Sequence, residues 1–260
     1  MKLLKKQLIF YKLKHLTTMK HLKTFAALCC VVAAFAACEP QNGPANGQNG
    51  NNGQPGNNDQ NPSGDTNHDY IDLGLSVKWA TCNVGATKPE EYGNYYAWGE
   101  TETKSKYSED TYKWSNDGCY TFTKYNTSSS YGTVDNKTVL DPEDDAARAN
   151  WGGAWRMPTD AEWTELRTKC TWTWTDDYNG TGVKGRIVTS NINGNSIFLP
   201  AAGYRSDGDL YGAGIGSYWS SSLDGYYPFR AYYVQFYSDY VGWSAISRYC
   251  GQSVRPVLGE

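Results

Sequence analysis

The chain has 260 residues, room for one or two domains, and its 10 tryptophans, 21 tyrosines and 27 glycines suit a loop-rich fold with an aromatic core despite only 39% hydrophobic content. Its formal charge of −3 conceals a segregation: residues 1–38 carry seven lysines and no acid, which leaves 17 bases against 27 acids, a net of −10, in the rest. Such a surface repels phosphate backbones and excludes nucleic acid as a partner.

Residues 1–38 have the order of a targeting segment: lysines, then the apolar run Phe25 to Ala37, then small residues before a cysteine. Phe35-Ala-Ala-Cys38 resembles a bacterial lipobox, which makes Cys38 the lipidated new N-terminus; Met19 supplies a start of ordinary signal length. A simple secretory signal cut near Ala37, or a membrane anchor, are the alternatives, but the apolar run is short for a span. Membrane contact is therefore expected through the lipid only, with Cys29 and Cys30 removed. Residues 39–67 are Asn, Gly, Gln and Pro with little to bury, a flexible tether averaging roughly 30 Å.

A folded domain is expected over 68–260. Tyr70-Ile-Asp-Leu-Gly-Leu and Val77-Lys-Trp-Ala-Thr read as strands around a turn, and Tyr95-Tyr-Ala-Trp as a third. Lys104 to Thr138 is a polar excursion without periodicity. Asp141-Pro-Glu-Asp-Asp starts a helix, with Asp141 as cap, Pro142 in the first turn and Glu143, Asp144 and Asp145 favoured by the helix dipole. A calcium site on these carboxylates is the alternative, without the spacing of a known calcium loop.

The stretch Trp151-Gly-Gly-Ala-Trp-Arg-Met-Pro-Thr-Asp-Ala-Glu-Trp-Thr-Glu-Leu organises the middle of the chain. Thr159 and Glu162 have the spacing of a capping box, Pro158 and Trp163 that of a hydrophobic staple. Trp163, Leu166 and Cys170 follow at helical spacing. Cys170-Thr-Trp-Thr-Trp alternates like a strand. Arg186-Ile-Val-Thr-Ser and Ser196-Ile-Phe-Leu-Pro flank the tight-hairpin dipeptide Asn193-Gly194. Gly203 to Gly216 reads as glycine-rich loop; no helix follows it, so it is a poor phosphate cradle. Tyr218-Trp-Ser-Ser, Tyr232 to Tyr237 and Ser253 to Val257 are the last strands, with Tyr240 to Tyr249 as loop.

Several of these stretches carry a resemblance. Trp155-Arg-Met-Pro-Thr-Asp-Ala-Glu-Trp is similar to the signature of formylglycine-generating, sulfatase-modifying proteins. Together with Asp72-Leu-Gly-Leu-Ser-Val-Lys-Trp-Ala, Tyr95-Tyr-Ala-Trp-Gly-Glu, Ile197-Phe-Leu-Pro-Ala-Ala-Gly-Tyr-Arg, Tyr218-Trp-Ser-Ser-Ser and Gly251-Gln-Ser-Val-Arg-Pro-Val, it more closely resembles the Fibrobacter succinogenes major paralogous domain, over roughly residues 70 to 258. The resemblance implies an α+β, C-type-lectin-like fold: loop-rich, with two short helices, small antiparallel sheets and its ends brought together. It implies no settled function, because that fold hosts binding modules and enzymes alike.

Cys82, Cys119, Cys170 and Cys250 allow two disulfides in three pairings, or stand as buried thiols; the resemblance implies Cys82–Cys170. Beyond the targeting segment the sole histidine is His68. A serine or cysteine nucleophile usually needs an adjacent base, so a Ser-His-Asp triad is excluded, as is iron on several histidines. The sulfatase modifiers use two closely spaced cysteines near the C-terminus, whereas Cys250 stands alone. Carboxylate pairs for glycoside hydrolysis are set by spatial separation, and no spacing here points to one.

Residues 224–250 are the candidate binding face. Ten of the 27 are aromatic, interleaved with Ser, Gly, Asp and Arg, the mixture of rigid amphipathic anchors and adaptable polar groups found in paratopes. Alternation sends Val234 and Phe236 to the core and leaves Tyr233, Gln235 and Tyr237 outward. Tyr227, Phe229, Arg230, Tyr233, Tyr237, Asp239, Tyr240 and Trp243 are the expected contacts, with an aromatic sheet covered by the excursion as the alternative. The patch also resembles the variable patch of proteins diversified by mutagenic reverse transcription. The expectation is a lipid-anchored envelope protein at the outer membrane or cell surface. It binds an extracellular protein or glycan without cofactor, metal or catalysis. A divergent sulfatase-modifying-like or glycan-active enzyme and a structural coat component are the alternatives.

Overall fold

The computed structural model describes residues 68–116 and 121–259. The targeting segment with Cys38, the tether and Cys119 lie outside the described residues. Among the described residues the class is α+β: two α-helices with small, mostly antiparallel sheets.

Strands β1 (Tyr70–Ile71) and β2 (Lys78–Ala80) pair around a turn in which the Gly74 N–H donates to Asp72 Oδ1 at 2.7 Å. Strand β3 (Tyr95–Tyr96) precedes the excursion. Helix α1 (Ala146–Trp151) does not begin where the sequence places its cap. Pro142–Asp144 forms a single 3-10 turn, and Asp145 is the cap. Its carboxylate accepts from the backbone of Ala147 at 2.8 Å, Arg148 at 3.1 Å and Met157 at 2.8 Å. Asp145 wins because one buried carboxylate there satisfies three backbone donors, whereas Asp141 is held by Lys124 and Lys137.

After β4 (Trp155–Arg156) comes α2 (Asp160–Lys169), with the capping box as read from its spacing. Thr159 Oγ1 accepts from the Glu162 N–H at 3.3 Å, and Glu162 Oε2 accepts from the Thr159 N–H at 2.7 Å. Trp163 and Leu166 face the core with no exposure. Glu162 also takes a bidentate pair from Arg156. Burial raises its carboxyl, but Arg156 and Thr159 lower it further, so the net shift is below the ordinary glutamate value. A depressed folded pKa stabilises above the unfolded value, about 4.3, and that contribution disappears as pH falls through the folded value. Glu162→Gln is therefore expected to cost about 1–2 kcal/mol at pH 7 and progressively less below pH about 4, read from urea midpoints across pH.

Strands β5 (Cys170–Thr175), β6 (Gly185–Ser190) and β7 (Ser196–Pro200) form an antiparallel sheet. The β6–β7 connection is longer than a two-residue turn. Asn193 and Asn195 side chains in it donate to the Asp72 carbonyl at 3.0 and 2.8 Å, which fastens the loop to the β1–β2 turn. Within the expected loop 203–216 lies a hairpin instead, β8 (Tyr204–Ser206) and β9 (Asp209–Tyr211). Asp207, at φ +51°, turns the chain, and Tyr204 stacks on Tyr211 across the strands at 5.7 Å.

Strands β10 (Gly216–Leu223), β11 (Arg230–Tyr237), β12 (Tyr240–Ser247), β13 (Gln252–Ser253) and the earlier β3 form the main sheet, in the order β12-β11-β10-β13-β3. Residues 240–249, expected as loop, are mostly β12, paired with β11 over eight positions from Arg230↔Ser247 to Tyr237↔Tyr240. Strand β14 (Val257–Leu258) returns between β2 and β4, so both ends of the domain share one small sheet.

Five fully buried tryptophans, Trp79, Trp98, Trp155, Trp163 and Trp219, dominate the core. At about 25 cal/mol per Å² each supplies roughly 4–6 kcal/mol of gross burial. The N–H groups of three of them converge on the main sheet. Trp98 donates to Ser220 O at 2.9 Å, Trp219 to Tyr96 O at 2.7 Å and Trp163 to Trp219 O at 3.2 Å. The β10–β11 register shifts between Trp219 and Leu223, which releases backbone groups of the serine run: Ser221 N–H donates to Pro158 O and Ser221 O accepts from Leu140. Tyr218-Trp-Ser-Ser-Ser is thus the hub that joins sheet, excursion and α2.

Candidate functional site

The β11–β12 register sorts the expected contacts. Residues opposite one another share a face, so Val234 and Phe236 lie with Trp243 and Val241, while Tyr233 and Tyr237 lie with Ser244 and Tyr240. Val234 and Phe236 are in the core as expected. Trp243 is on their face, half-buried, with the Arg167 guanidinium 4.7 Å from its ring centroid. Tyr233 does point to the opposite face, but it is buried rather than outward, because Trp219 covers it at 6.2 Å.

The exposed members fall at opposite ends of the sheet, roughly 24 Å apart over the seven steps from Arg230 to Tyr237. At one end Arg230 lies over Tyr227 and Phe229, at 5.4 and 5.2 Å, and Tyr131 of the excursion covers part of Phe229 at 5.5 Å. The covered-sheet alternative therefore holds locally there. At the other end Tyr237 and Tyr240 stack at 5.1 Å and are 38% and 39% exposed, with Asp239 in the turn between them. Tyr240 lies across Gly242, where a Cβ would meet its hydroxyl. Six of the eight residues thus fall in two clusters at opposite ends, Tyr227, Phe229 and Arg230 at one and Tyr237, Asp239 and Tyr240 at the other, while Tyr233 and Trp243 belong to neither, so there is no single face.

Beside the Tyr237 end lies a feature the sequence reading missed, an open cleft of ≈ 620 Å³. Tyr92 reaches it from the loop before β3, Trp174 and Asp176 from the end of β5, Lys184 from the start of β6 and Tyr237 from the hairpin tip. Trp172 and Trp174 share one face of β5, both half-buried: Trp172 packs on Phe236 at 5.8 Å, and Trp174, nearer the strand's end, donates its N–H to Asp176 at 3.2 Å. Arg186 ties the hairpin tip to this sheet, donating to the carbonyls of Trp172 at 2.7 Å, Tyr237 at 2.6 Å and Ser238 at 3.1 Å. Such anchoring fixes the backbone that carries Tyr237.

Asp141, Glu143 and Asp144 do bring carboxylate oxygens within 4.8 Å of one another. Lys124 already supplies their cation, with its ammonium 2.7 Å from Asp141, 3.3 Å from Glu143 and against Asp144, to which Tyr125 also donates at 2.6 Å. Burial alone lowers the Lys124 pKa, but the carboxylates outweigh it and the net shift is upward. Calcium titrated into the protein is expected to give no binding heat at this cluster, with Asp144→Asn lowering stability instead.

Cys82, Cys170 and Cys250 are buried free thiols, so the implied Cys82–Cys170 disulfide is absent. The two belong to different core clusters, and Cys82 Sγ donates to Ala86 O at 3.3 Å. Burial raises all three thiols, Cys170 to about 11 and Cys250 to about 12. Little thiolate forms at neutral pH, so all three are poor nucleophiles. Iodoacetamide is expected to leave them unlabelled in the native protein and to label them in denaturant, read by peptide mass mapping. His68 stacks on Trp151 at 3.7 Å, packed at the domain edge. Compared with known families, characterised proteins and solved structures, the chain matches no family model, no characterised protein and no solved structure.

Proposed function

We propose that this chain is a lipid-anchored envelope protein whose C-type-lectin-like domain, a relative of the Fibrobacter succinogenes major paralogous domain, binds an extracellular protein or glycan. The observation that carries the reading is the exposure of Tyr237 and Tyr240 on a hairpin tip that Arg186 holds rigid, beside a cleft lined by further aromatic rings. Aromatic side chains left in water on a fixed support are a cost to solubility unless something covers them. The pairing of the domain's two ends through β2 and β14 supports the lectin-like assignment, and the lysine-rich, apolar, Cys38-ended leader supports the anchor.

Two experiments test it. Palmitate labelling is expected in the native protein and lost in Cys38→Ala. A screen of surface glycans and surface proteins with the chain lacking residues 1–38 is expected to retain a partner, and retention of none removes the binding reading. Turnover of a peptide or polysaccharide replaces it with the enzyme alternative, and self-assembly without partner with the coat alternative. A template repeat and a reverse-transcriptase gene beside the coding sequence would mark the patch as diversified.

A further inference from the structure

We infer that the cleft beside the hairpin tip binds a neutral oligosaccharide without a metal ion. The inference rests on the reading of this protein as a binding module and names the class of ligand and its place. Tyr92, Trp174 and Tyr237 bring three aromatic rings to the cleft from distant parts of the chain, with Tyr92 41% and Tyr237 38% exposed. A pyranose offers an apolar C–H face that stacks on such rings and a rim of hydroxyls that both donate and accept. The polar groups here match that rim. Asp176 and Lys184 form a 3.1 Å ion pair, which supplies an acceptor and donors at no net charge. A charged ligand would have to compete with one half of that pair; a hydroxyl need not.

The cleft is also set before binding. Asp176 accepts from the indole of Trp174, and Arg186 fixes the backbone of Tyr237 and Ser238, so little ordering remains to oppose association. Gly182 and Gly214 hold positive φ, +74° and +87°, and a Cβ on either would meet open space. No side chain closes the wall there, which leaves the cleft open to an extended chain. Its ≈ 620 Å³ falls within the range of small-ligand sites, about 300–1,000 Å³. A protein partner needs about 800 Å² of matched surface on each side, and rings set in a concavity suit a slender ligand better. Asp176 is the single carboxylate among the cleft's lining residues, and Lys184 already occupies it, so no cation is needed to organise the site.

Isothermal titration of the full chain with cellohexaose, xylohexaose and mannohexaose, each with and without EDTA, tests this. At least one is expected to bind. Tyr92→Ala, Trp174→Ala and Tyr237→Ala are each expected to weaken it about tenfold or more. Tyr226→Ala, which removes an 86% exposed ring at the far end of the sheet, is expected to leave affinity unchanged. Tyr92 and Tyr237 are exposed, so their variants keep the test sound if Trp174→Ala unfolds. Absence of heat with all three sugars at millimolar concentration, or abolition of binding by EDTA, overturns the inference. So does affinity that falls in Tyr227→Ala but not in the cleft variants, an outcome that leaves the binding-module reading standing. That broader reading fails separately, when neither glycans nor surface proteins are retained in the wider screen.

Discussion

Arg255→Met is expected to lower the stability of the domain by about 4–5 kcal/mol, a large share of the ordinary 5–15 kcal/mol of a folded domain. Arg255 has no solvent exposure. Its guanidinium donates to Asn83 Oδ1 at 2.9 Å, Ala80 O at 2.8 Å and Phe198 O at 2.9 Å, which draws β2, the following loop and β7 onto the C-terminal segment. Burial lowers its pKa, yet guanidinium remains charged at any accessible pH. Methionine fills much of the volume but strands three buried acceptors, and the desolvation cost of each stays with the folded state. The check is the urea midpoint at unchanged slope. Arg255→Lys should retain only part of the stability, because one ammonium does not reproduce the planar fork. A wild-type midpoint in Arg255→Met would show that these contacts contribute nothing net.

For Arg248→Met the expected loss is about 3–4 kcal/mol, concentrated in the excursion rather than spread over the domain. Arg248 is 1% exposed and donates to Tyr112 Oη at 2.8 Å, Tyr125 O at 3.1 Å, Pro228 O at 2.9 Å and Lys124 O at 3.0 Å. Its guanidinium lies 4.6 Å from the Phe122 centroid and 5.0 Å from that of Trp98. Excursion residues wrap around this one cation, which gives a periodicity-free segment a fixed path. Hydrogen exchange in the variant should lose protection over residues 107–116 and 121–126, while β10 and β11 keep theirs. Uniform loss across the main sheet would assign Arg248 a global role instead.

Legibility in the sequence followed the range of the interaction. The Thr159–Glu162 box was readable because its partners are three residues apart. The β1–β2 pair and the β5–β7 sheet were readable because apolar alternation and turn residues are local. The cap of α1 was misplaced by four residues. Asp141-Pro and Asp145 both look like starts, and what separates them is Lys124 on one and the Met157 N–H on the other. Strand β12 was missed because Gly242, Ser244 and Ser247 break its apolar pattern, and pairing with β11 supplies what propensity lacks. The hairpin β8–β9 was hidden by its glycines for the same reason.

The candidate site divides likewise. Composition alone marked residues 224–250 as rich in aromatics, and alternation alone sent Val234 and Phe236 inward. Which of the other rings meet water depended on neighbours far along the chain. Trp219 buries Tyr233, Arg167 covers Trp243 and Tyr131 covers part of Phe229. Tyr92, Trp174 and Tyr237 share a cleft only because the connections that carry them converge. Local chemistry determined the elements, their caps and the aromatic character of the chain, since those depend on residues a few positions apart. Tertiary packing decided exposure and the grouping of side chains, because both are properties of surfaces that exist only once distant segments have met.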